Sequence, residues 1–72
     1  MNAFSWKLIE LRKKKGLKQK DLTTLFDVTQ QAVSKWETGQ SYPDIPTLKK
    51  MASFFDVSLD ELIKDEEYES FA

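Results

Sequence analysis

The 72-residue sequence contains no cysteine and no histidine, and it contains two glycines and two prolines. Without cysteine there is neither a disulfide nor a thiolate metal ligand. Without histidine the chain lacks the commonest metal-binding side chain and the commonest general base. A metal site would have to be built from carboxylates alone, so we expect no metal and no cofactor. For the same reasons we expect that the protein is not an enzyme.

Long apolar runs are also missing. No uncharged apolar stretch approaches the roughly 18 residues that a membrane span requires. Residues 1–16 carry charges inside their apolar part and have no small-residue cleavage site after one, so they do not resemble a secretory signal. We therefore expect a cytoplasmic protein.

Charge is unevenly distributed along the chain, although the formal net charge is −1. Residues 1–40 carry eight Lys or Arg against four Asp or Glu, a balance of +4, whereas residues 41–72 carry three against eight, a balance of −5. A basic half suits binding to a phosphate backbone. A solvated lysine face followed by an acidic tail explains the same pattern without any partner, so charge alone does not decide.

Apolar residues recur at helical spacing between glycine, aspartate and capping residues. We predict an all-α fold of five short helices, with one domain over residues 1–64 and an acidic carboxy-terminal tail over residues 65–72. The predicted inward-facing residues of the five helices are, in order, Phe4, Leu8 and Leu11; Leu22, Leu25 and Phe26; Val33 and Trp36; Leu48, Met51, Ala52 and Phe55; and Leu62.

Capping residues mark the boundaries of the later helices. Thr29 is placed to cap a third helix over residues 30 to about 37, which Gly39 ends. Asp44 is placed to cap the fourth helix, and Ser58 begins a capping box that opens the fifth. The boundaries therefore follow from residue types as well as from periodicity.

Residues 19–37 form the most informative segment, because a helix of about two turns, a tight link and a second short helix follow one another. Two helices joined in this way form a helix-turn-helix, whose second helix can enter the major groove of DNA. The candidates for base readout on that helix are Gln30, Gln31, Ser34 and Lys35. Gln pairs with adenine and Lys with guanine. However, any exposed helix face is polar, and helix-turn-helix units also occur as scaffolds, so the pattern alone leaves both functions open.

A wider set of residues has the order and spacing of a known family. The set consists of Leu8, Leu11, Arg12, Gly16, Leu17, Gln19, Leu22, the run 28–37, Gly39, the run 42–44, Leu48, Ala52 and the run 57–62. Over residues 8–63, about four-fifths of the chain, the sequence resembles the phage-repressor and Cro type of helix-turn-helix, also called the xenobiotic-response-element family. The resemblance implies a lambda-repressor-like DNA-binding domain in which helices 2 and 3 form the helix-turn-helix.

The resemblance also implies which residues contact DNA. Gln19 matches a glutamine that hydrogen-bonds a phosphate at the amino terminus of the second helix, where free N–H groups favour an anion. The residues that match base-reading positions are Gln30, Gln31, Ser34 and Lys35. The residues that match further phosphate contacts are Thr29, Gln40, Ser41 and Tyr42, and Thr29 matches a position that reaches either base or phosphate. Arg12 and Glu37 match a pair that forms an internal ion pair, so we expect them to be structural.

Three positions depart from the family pattern. Lys18 stands where a Ser or Thr cap is usual, so the second helix loses a side-chain acceptor, and Lys18 becomes a candidate for a phosphate contact instead. Lys20 is a further candidate for a phosphate contact. Thr23 replaces a usual alanine at the contact between helices. Asp27 replaces the usual turn glycine, which adds strain and places a negative charge near the DNA-facing edge. None of these departures removes a base-reading residue, so they bear on affinity more than on fold.

Apolar residues outside the predicted core point to a further contact surface. Trp6 and Ile9 lie off the inward stripe of the first helix, and the tail adds Tyr68 and Phe71. One interpretation is intramolecular, with a tail aromatic covering Trp6. The other is a dimer patch, which a repressor on a two-fold operator requires.

The residues and the resemblance together lead us to expect a sequence-specific DNA-binding transcriptional regulator that acts as a repressor. We expect a homodimer on a palindromic double-stranded operator, associated with the nucleoid. The alternative is a protein-interaction module, such as an antitoxin or an anti-repressor partner, built on the same bundle. Retention of the base-reading side chains favours DNA as the partner.

Overall fold

The computed structural model describes residues 2–63, and its regular secondary structure within this range is entirely α-helical. The five helices are α1 (Ala3–Lys14), α2 (Gln19–Phe26), α3 (Gln30–Thr38), α4 (Ile45–Phe55) and α5 (Leu59–Ile63). The predicted all-α fold is therefore confirmed, and α3 is one residue longer than expected.

The tail over residues 65–72, which includes Tyr68 and Phe71, lies outside the described residues. The predicted domain boundary after residue 64 stays a prediction for the same reason. Among the helices of residues 2–63, none has both the length and the apolar character needed to cross a bilayer. Within the same residues, no three acidic side chains are grouped so that they could hold a metal ion.

Side-chain caps begin four of the helices. The Thr29 hydroxyl, the Asp44 carboxylate and the Ser58 hydroxyl each accept a hydrogen bond at 3.0 Å from the backbone N–H three residues further on. Each cap satisfies one of the N–H groups that the first turn of a helix leaves unpaired. These three caps are the ones that the sequence predicts, whereas Asn2, which caps α1, is an addition.

A left-handed residue lies at or just after the end of each of the first four helices. Gly16 follows α1 with φ of 70°, and Gly39 ends α3 with φ of 81°. Asp27 ends α2 with φ of 55°, as its position predicts, and Asp56 ends α4 with φ of 56°. Aspartate tolerates this conformation better than most residues do, which lets both turns form without glycine.

The core draws apolar side chains from all five helices. Helix α1 packs against α3 and α5, and α2 packs against α3 and α4. The buried apolar residues are Phe4, Leu8, Leu11, Leu22, Phe26, Val33, Trp36, Leu48, Met51, Ala52, Phe55 and Leu62. Burial of a side chain of this kind is worth about 1.5–3 kcal/mol, so these contacts fix where α3 lies.

The prediction that Leu25 faces the core is wrong. Leu25 is 43% exposed, whereas Leu22 and Phe26 are buried. Residues four apart lie one above the other on a helix, so Leu22 and Phe26 suffice to cover the side of α2 that meets its neighbours. Leu25 lies on the flank of that stripe, where it remains partly in solvent.

Candidate nucleic-acid interface

The turn between α2 and α3 is short and held by backbone hydrogen bonds. The N–H groups of Asp27 and Val28 both donate to the Thr23 carbonyl oxygen, the second at 3.1 Å. The Thr23 hydroxyl donates to the Lys20 carbonyl oxygen at 2.6 Å. The threonine that replaces the usual alanine is therefore accommodated by a hydrogen bond within α2.

Helix α3 has one buried side and one exposed side. Val33 is fully buried and Trp36 is 5% exposed, so both anchor the helix in the core as the sequence predicts. The predicted base-reading residues that are exposed are Gln30, Gln31 and Lys35, and Ser34 is half-buried. The glutamine side chains are therefore open to a ligand, and the exposed side of this short helix offers two amides, which donate and accept, and one ammonium, which only donates.

Thr29 lies at the junction of the turn and α3. Its hydroxyl oxygen accepts from the Ala32 N–H at 3.0 Å, and the residue is exposed. A hydroxyl also carries one hydrogen that it can donate. Thr29 therefore caps α3 and still offers a donor at the edge of the exposed face.

Arg12 and Glu37 form the ion pair between α1 and α3 that the family resemblance implies. The guanidinium Nε and Nη2 donate to the two carboxylate oxygens at 2.6 Å and 3.0 Å, and Nη1 donates to the Leu17 carbonyl oxygen at 3.0 Å. The Glu37 side chain is 4% exposed and the Arg12 side chain 13% exposed. A buried bidentate contact of this kind fixes the orientation of α1 relative to α3.

Gln19 joins the same network. Its side-chain Nε2 donates to Glu37 Oε1 at 3.0 Å, so the residue predicted to contact a phosphate is already hydrogen-bonded within the protein. An amide nitrogen carries two hydrogens. One of them is used by Glu37 and the second can be donated to a ligand at the amino terminus of α2.

Two lysines flank Gln19 at that terminus. Lys18 and Lys20 are exposed. The Lys18 side chain has no acceptor to offer as a cap, and the Asp21 carboxylate instead accepts from the Lys18 backbone N–H at 2.8 Å. Helix α2 is thus capped by a carboxylate from its own first turn. Neither lysine side chain takes part in this cap, and both residues are exposed.

Two further lysines of the basic half have acidic or aromatic neighbours. Lys14 and Lys15 border a groove with the acidic Asp56 and Glu61, between α1 and the end of the bundle formed by α4 and α5. The Lys15 ammonium lies 5.2 Å from the centre of the Phe54 ring. Lys14 and Lys15 therefore lie beside acidic or aromatic side chains.

The loop after α3 is shaped by its own backbone. The N–H groups of Gly39, Gln40 and Ser41 all turn back to carbonyl oxygens of the last turn of α3, with the Gln40 N–H 2.8 Å from the Lys35 oxygen. Gln40 is exposed and Ser41 is half-buried. Any phosphate contact of these two residues therefore has to come from their side chains.

Tyr42, the last predicted phosphate contact, faces α1. Its hydroxyl accepts a hydrogen bond from Asn2 Nδ2 at 2.8 Å, and its ring centre lies 5.7 Å from that of Phe4. Asn2 is the residue of this region that sequence reasoning missed. The available signal was an asparagine directly before the first apolar stripe with a serine three residues later, which is a capping pattern.

Asp44 begins α4 on the far side of this loop. Hydrogen bonds from the side chain and backbone N–H of Thr47, together with the charge of Lys50, hold the pKa of its carboxyl below the ordinary value. The folded protein therefore favours the ionised carboxylate of Asp44 over the protonated acid.

Trp6 and Ile9 are not equivalent in the structure. Trp6 is 62% exposed and lines a shallow groove with Ala3, Lys7 and Glu61, whereas Ile9 is half-buried. The predicted contact surface on α1 is therefore centred on Trp6.

Comparison with known proteins identifies the family. A family model of helix-turn-helix domains matches residues 8–62. The chain is 44% identical over 64 residues to the HTH-type transcriptional activator BcrR of Enterococcus faecalis. This match covers 89% of this chain and 31% of that protein. It is 31% identical over 64 residues to the cryptic phage CTXphi transcriptional repressor RstR of Vibrio cholerae, covering 89% of this chain and 58% of that protein.

A solved structure has the same arrangement of helices. The transcriptional regulator from Listeria innocua matches with a TM-score of 0.80 and 34% identity, covering 86% of this chain and 58% of that one. The chain thus spans between 31% and 58% of the length of these relatives. It belongs to the helix-turn-helix family of the phage-repressor and Cro type, a family of DNA-binding transcriptional regulators.

Proposed function

We propose that this protein binds double-stranded DNA sequence-specifically and regulates transcription. The observation that carries the proposal is the exposure of Gln30, Gln31 and Lys35 on the one helix that Val33 and Trp36 anchor in the core. An anchored helix with exposed amide and ammonium groups is suited to reading base edges in the major groove. Ser34 completes this base-reading set.

The phosphate backbone would be held on both sides of α3. On one side Gln19 offers its second amide hydrogen at the start of α2, with Lys18 and Lys20 beside it. On the other side the contacts come from the loop after α3, through the side chains of Gln40 and Ser41. Such contacts fix position and register without reading sequence.

We further propose that the protein acts as a homodimer on a palindromic operator and represses by occupying it, in the cytoplasm and associated with the nucleoid. A two-fold protein matches a two-fold site, with half-sites one helical turn apart. The exposed Trp6 supplies apolar surface for a contact between protomers. Occupancy of a promoter needs no property of the domain beyond DNA binding. Transcription of a promoter that carries the operator should therefore fall when the protein is added, and a rise would show an activator.

The decisive experiment is selection of bound duplexes from a random library at two salt concentrations. We expect recovery of a palindrome, because base contacts enrich one sequence and dimer symmetry repeats it. Raising the salt should weaken binding to all duplexes through release of counterions. Absence of any enriched sequence at the low salt concentration would contradict the proposal.

A protein-interaction module is the second candidate, and the exposure of Trp6 is the observation that favours it. A large aromatic side chain in solvent is suited to a protein contact. Sedimentation of the wild type and of Trp6→Ser distinguishes the two uses of this surface. Loss of self-association in Trp6→Ser supports the homodimer. A wild type that is monomeric and selects no DNA supports the interaction module.

A further inference from the structure

The side chain of Asn2 makes hydrogen bonds at both of its ends. Its Oδ1 accepts from the Ser5 backbone N–H at 2.9 Å and from the Ser5 hydroxyl at 2.8 Å. Its Nδ2 donates to the Tyr42 hydroxyl at 2.8 Å. A backbone N–H can only donate, so the oxygen of the amide must face Ser5 and the nitrogen must face Tyr42.

Buried residues surround these contacts. Ser5 and Phe4 are fully buried, and the Tyr42 ring packs on Phe4 with their centres 5.7 Å apart. The Ser5 hydroxyl is also 3.3 Å from the Asn2 backbone nitrogen, which closes a capping box around the start of α1. Asn2 therefore does two things: its oxygen caps a helix, and its nitrogen holds a residue 40 positions away in the chain.

Tyr42 lies midway along the segment that joins the end of α3 to the start of α4. Gln40 and Ser41 immediately precede it, and their backbone N–H groups are already used to end α3. The hydroxyl of Tyr42 is held by Asn2 on the side of α1. The position of the loop side chains therefore depends on a contact with the first helix as well as on the turn itself.

We propose that Asn2 is a positioning residue for DNA binding, which holds Tyr42, and through Tyr42 the side chains of Gln40 and Ser41, at the phosphate backbone. The inference rests on the proposed function and adds a determinant of affinity outside the helix-turn-helix. It also changes the predicted part played by Tyr42, whose hydroxyl anchors the loop. Because phosphate contacts carry no sequence information, the anchor should affect all duplexes alike.

The variant Asn2→Ser separates the two functions of the side chain. Serine caps a helix about as well as asparagine does, so α1 keeps its cap. A serine hydroxyl has no amide nitrogen and is too short to reach Tyr42. We expect the dissociation constants for the selected operator and for an unrelated duplex to rise by the same factor, about 3- to 10-fold, as for the loss of one neutral hydrogen bond. Base preference should not change.

Two comparisons complete the test. In a Tyr42→Phe background, Asn2→Ser should cause no further loss, because the acceptor is already gone. Ser58→Ala removes a cap from α5, away from the loop, and should leave DNA affinity unchanged, which controls for general loss of stability. Hydrogen exchange of the Gln40 and Ser41 amides should be faster in Asn2→Ser than in the wild type.

Different failures have different meanings. Wild-type protein that binds no duplex overturns the proposed function and this inference with it. Wild-type protein that binds, with Asn2→Ser binding equally well, overturns the inference alone. A loss on Asn2→Ser that is as large in the Tyr42→Phe background as in the wild type also overturns it, since Asn2 would then contact DNA directly.

Discussion

The side-chain Nε2 of Gln19 donates a hydrogen bond to Glu37 Oε1 at 3.0 Å, and Arg12 Nη2 donates to the same oxygen. The carboxylate thus holds the hydrogen-bonding amide at the start of α2 in a defined orientation. Glu37 belongs to α3, so the network ties the proposed phosphate-binding position to the proposed base-reading helix. The ion pair is therefore structural for the bundle, and its carboxylate also orients the side chain that is proposed to contact a phosphate.

The first prediction concerns this pair. Arg12→Met leaves the Glu37 carboxylate buried without its cation, so we expect the free energy of unfolding to fall by about 3–5 kcal/mol. Urea unfolding measures the loss. The matched control is Lys7→Met, which removes the exposed pair with Glu10 at 3.3 Å and should cost less than about 1 kcal/mol. Equal losses in the two variants would show that burial of the pair is unimportant.

The second prediction concerns base readout by Gln31. Gln31→Ala should weaken binding to the operator by about 1–3 kcal/mol and relax the preference at one base pair. Titration of a set of single-base variants of the operator measures both effects. Gln40→Ala is the control, because a lost phosphate contact lowers affinity for every duplex alike. A uniform loss for Gln31→Ala would rule out base readout by this residue.

The third prediction concerns the lysines at the start of α2. Lys20→Ala should reduce the slope of log Kd against log salt concentration by roughly one, as expected for one phosphate contact. Lys14→Ala removes the same charge from the groove beside Asp56 and Glu61 and should change the slope less. The two slopes are measured on the same duplex. If they fall equally, net charge and not position determines the effect.

The fourth prediction compares two aspartates with the same backbone conformation. Asp27 and Asp56 have φ of 55° and 56°, so Asp27→Gly and Asp56→Gly should each raise the free energy of unfolding by about 0.5–1 kcal/mol as left-handed strain is relieved. Asp27→Gly alone also removes a negative charge from the helix-turn-helix turn. It should therefore tighten DNA binding at low salt, an effect that screening weakens as salt is added. Tighter binding by Asp56→Gly to the same extent would contradict this.

The fifth prediction concerns the pH dependence of stability through Asp44. Because the pKa of this carboxyl is lowered in the folded protein, its contribution is fully present above the unfolded pKa and is lost as pH falls through the folded pKa. Asp44→Asn keeps a capping oxygen but does not titrate. The stability difference between wild type and Asp44→Asn should therefore shrink from pH 7 to pH 3 in urea unfolding. A difference that is the same at both pH values would contradict it.

Much of the fold could be predicted because its signals are local. Thr29, Asp44 and Ser58 cap helices through hydrogen bonds to residues three positions away, so residue type and spacing are enough to find them. The burial of Val33 and Trp36 follows in the same way from their spacing on one helix. The face that they leave exposed then follows without further information.

Other features depend on which elements meet in space. Leu25 fits a helical stripe, but α2 needs only Leu22 and Phe26 to cover its neighbours, and spacing does not reveal how wide the covered side is. The contact between Asn2 and Tyr42 spans 40 positions and cannot be found from local pattern. The acidic neighbours of Lys14 and Lys15 likewise become visible only when α4 and α5 are placed beside α1.

The backbone hydrogen bonds that end α3 fix the shape of the following loop independently of its side chains. Since main-chain groups of residues 39–41 hold the turn, replacing Gln40 or Ser41 leaves those bonds in place. Under the proposed function, single substitutions at these two positions therefore change the affinity for DNA while the backbone of the turn stays as it is.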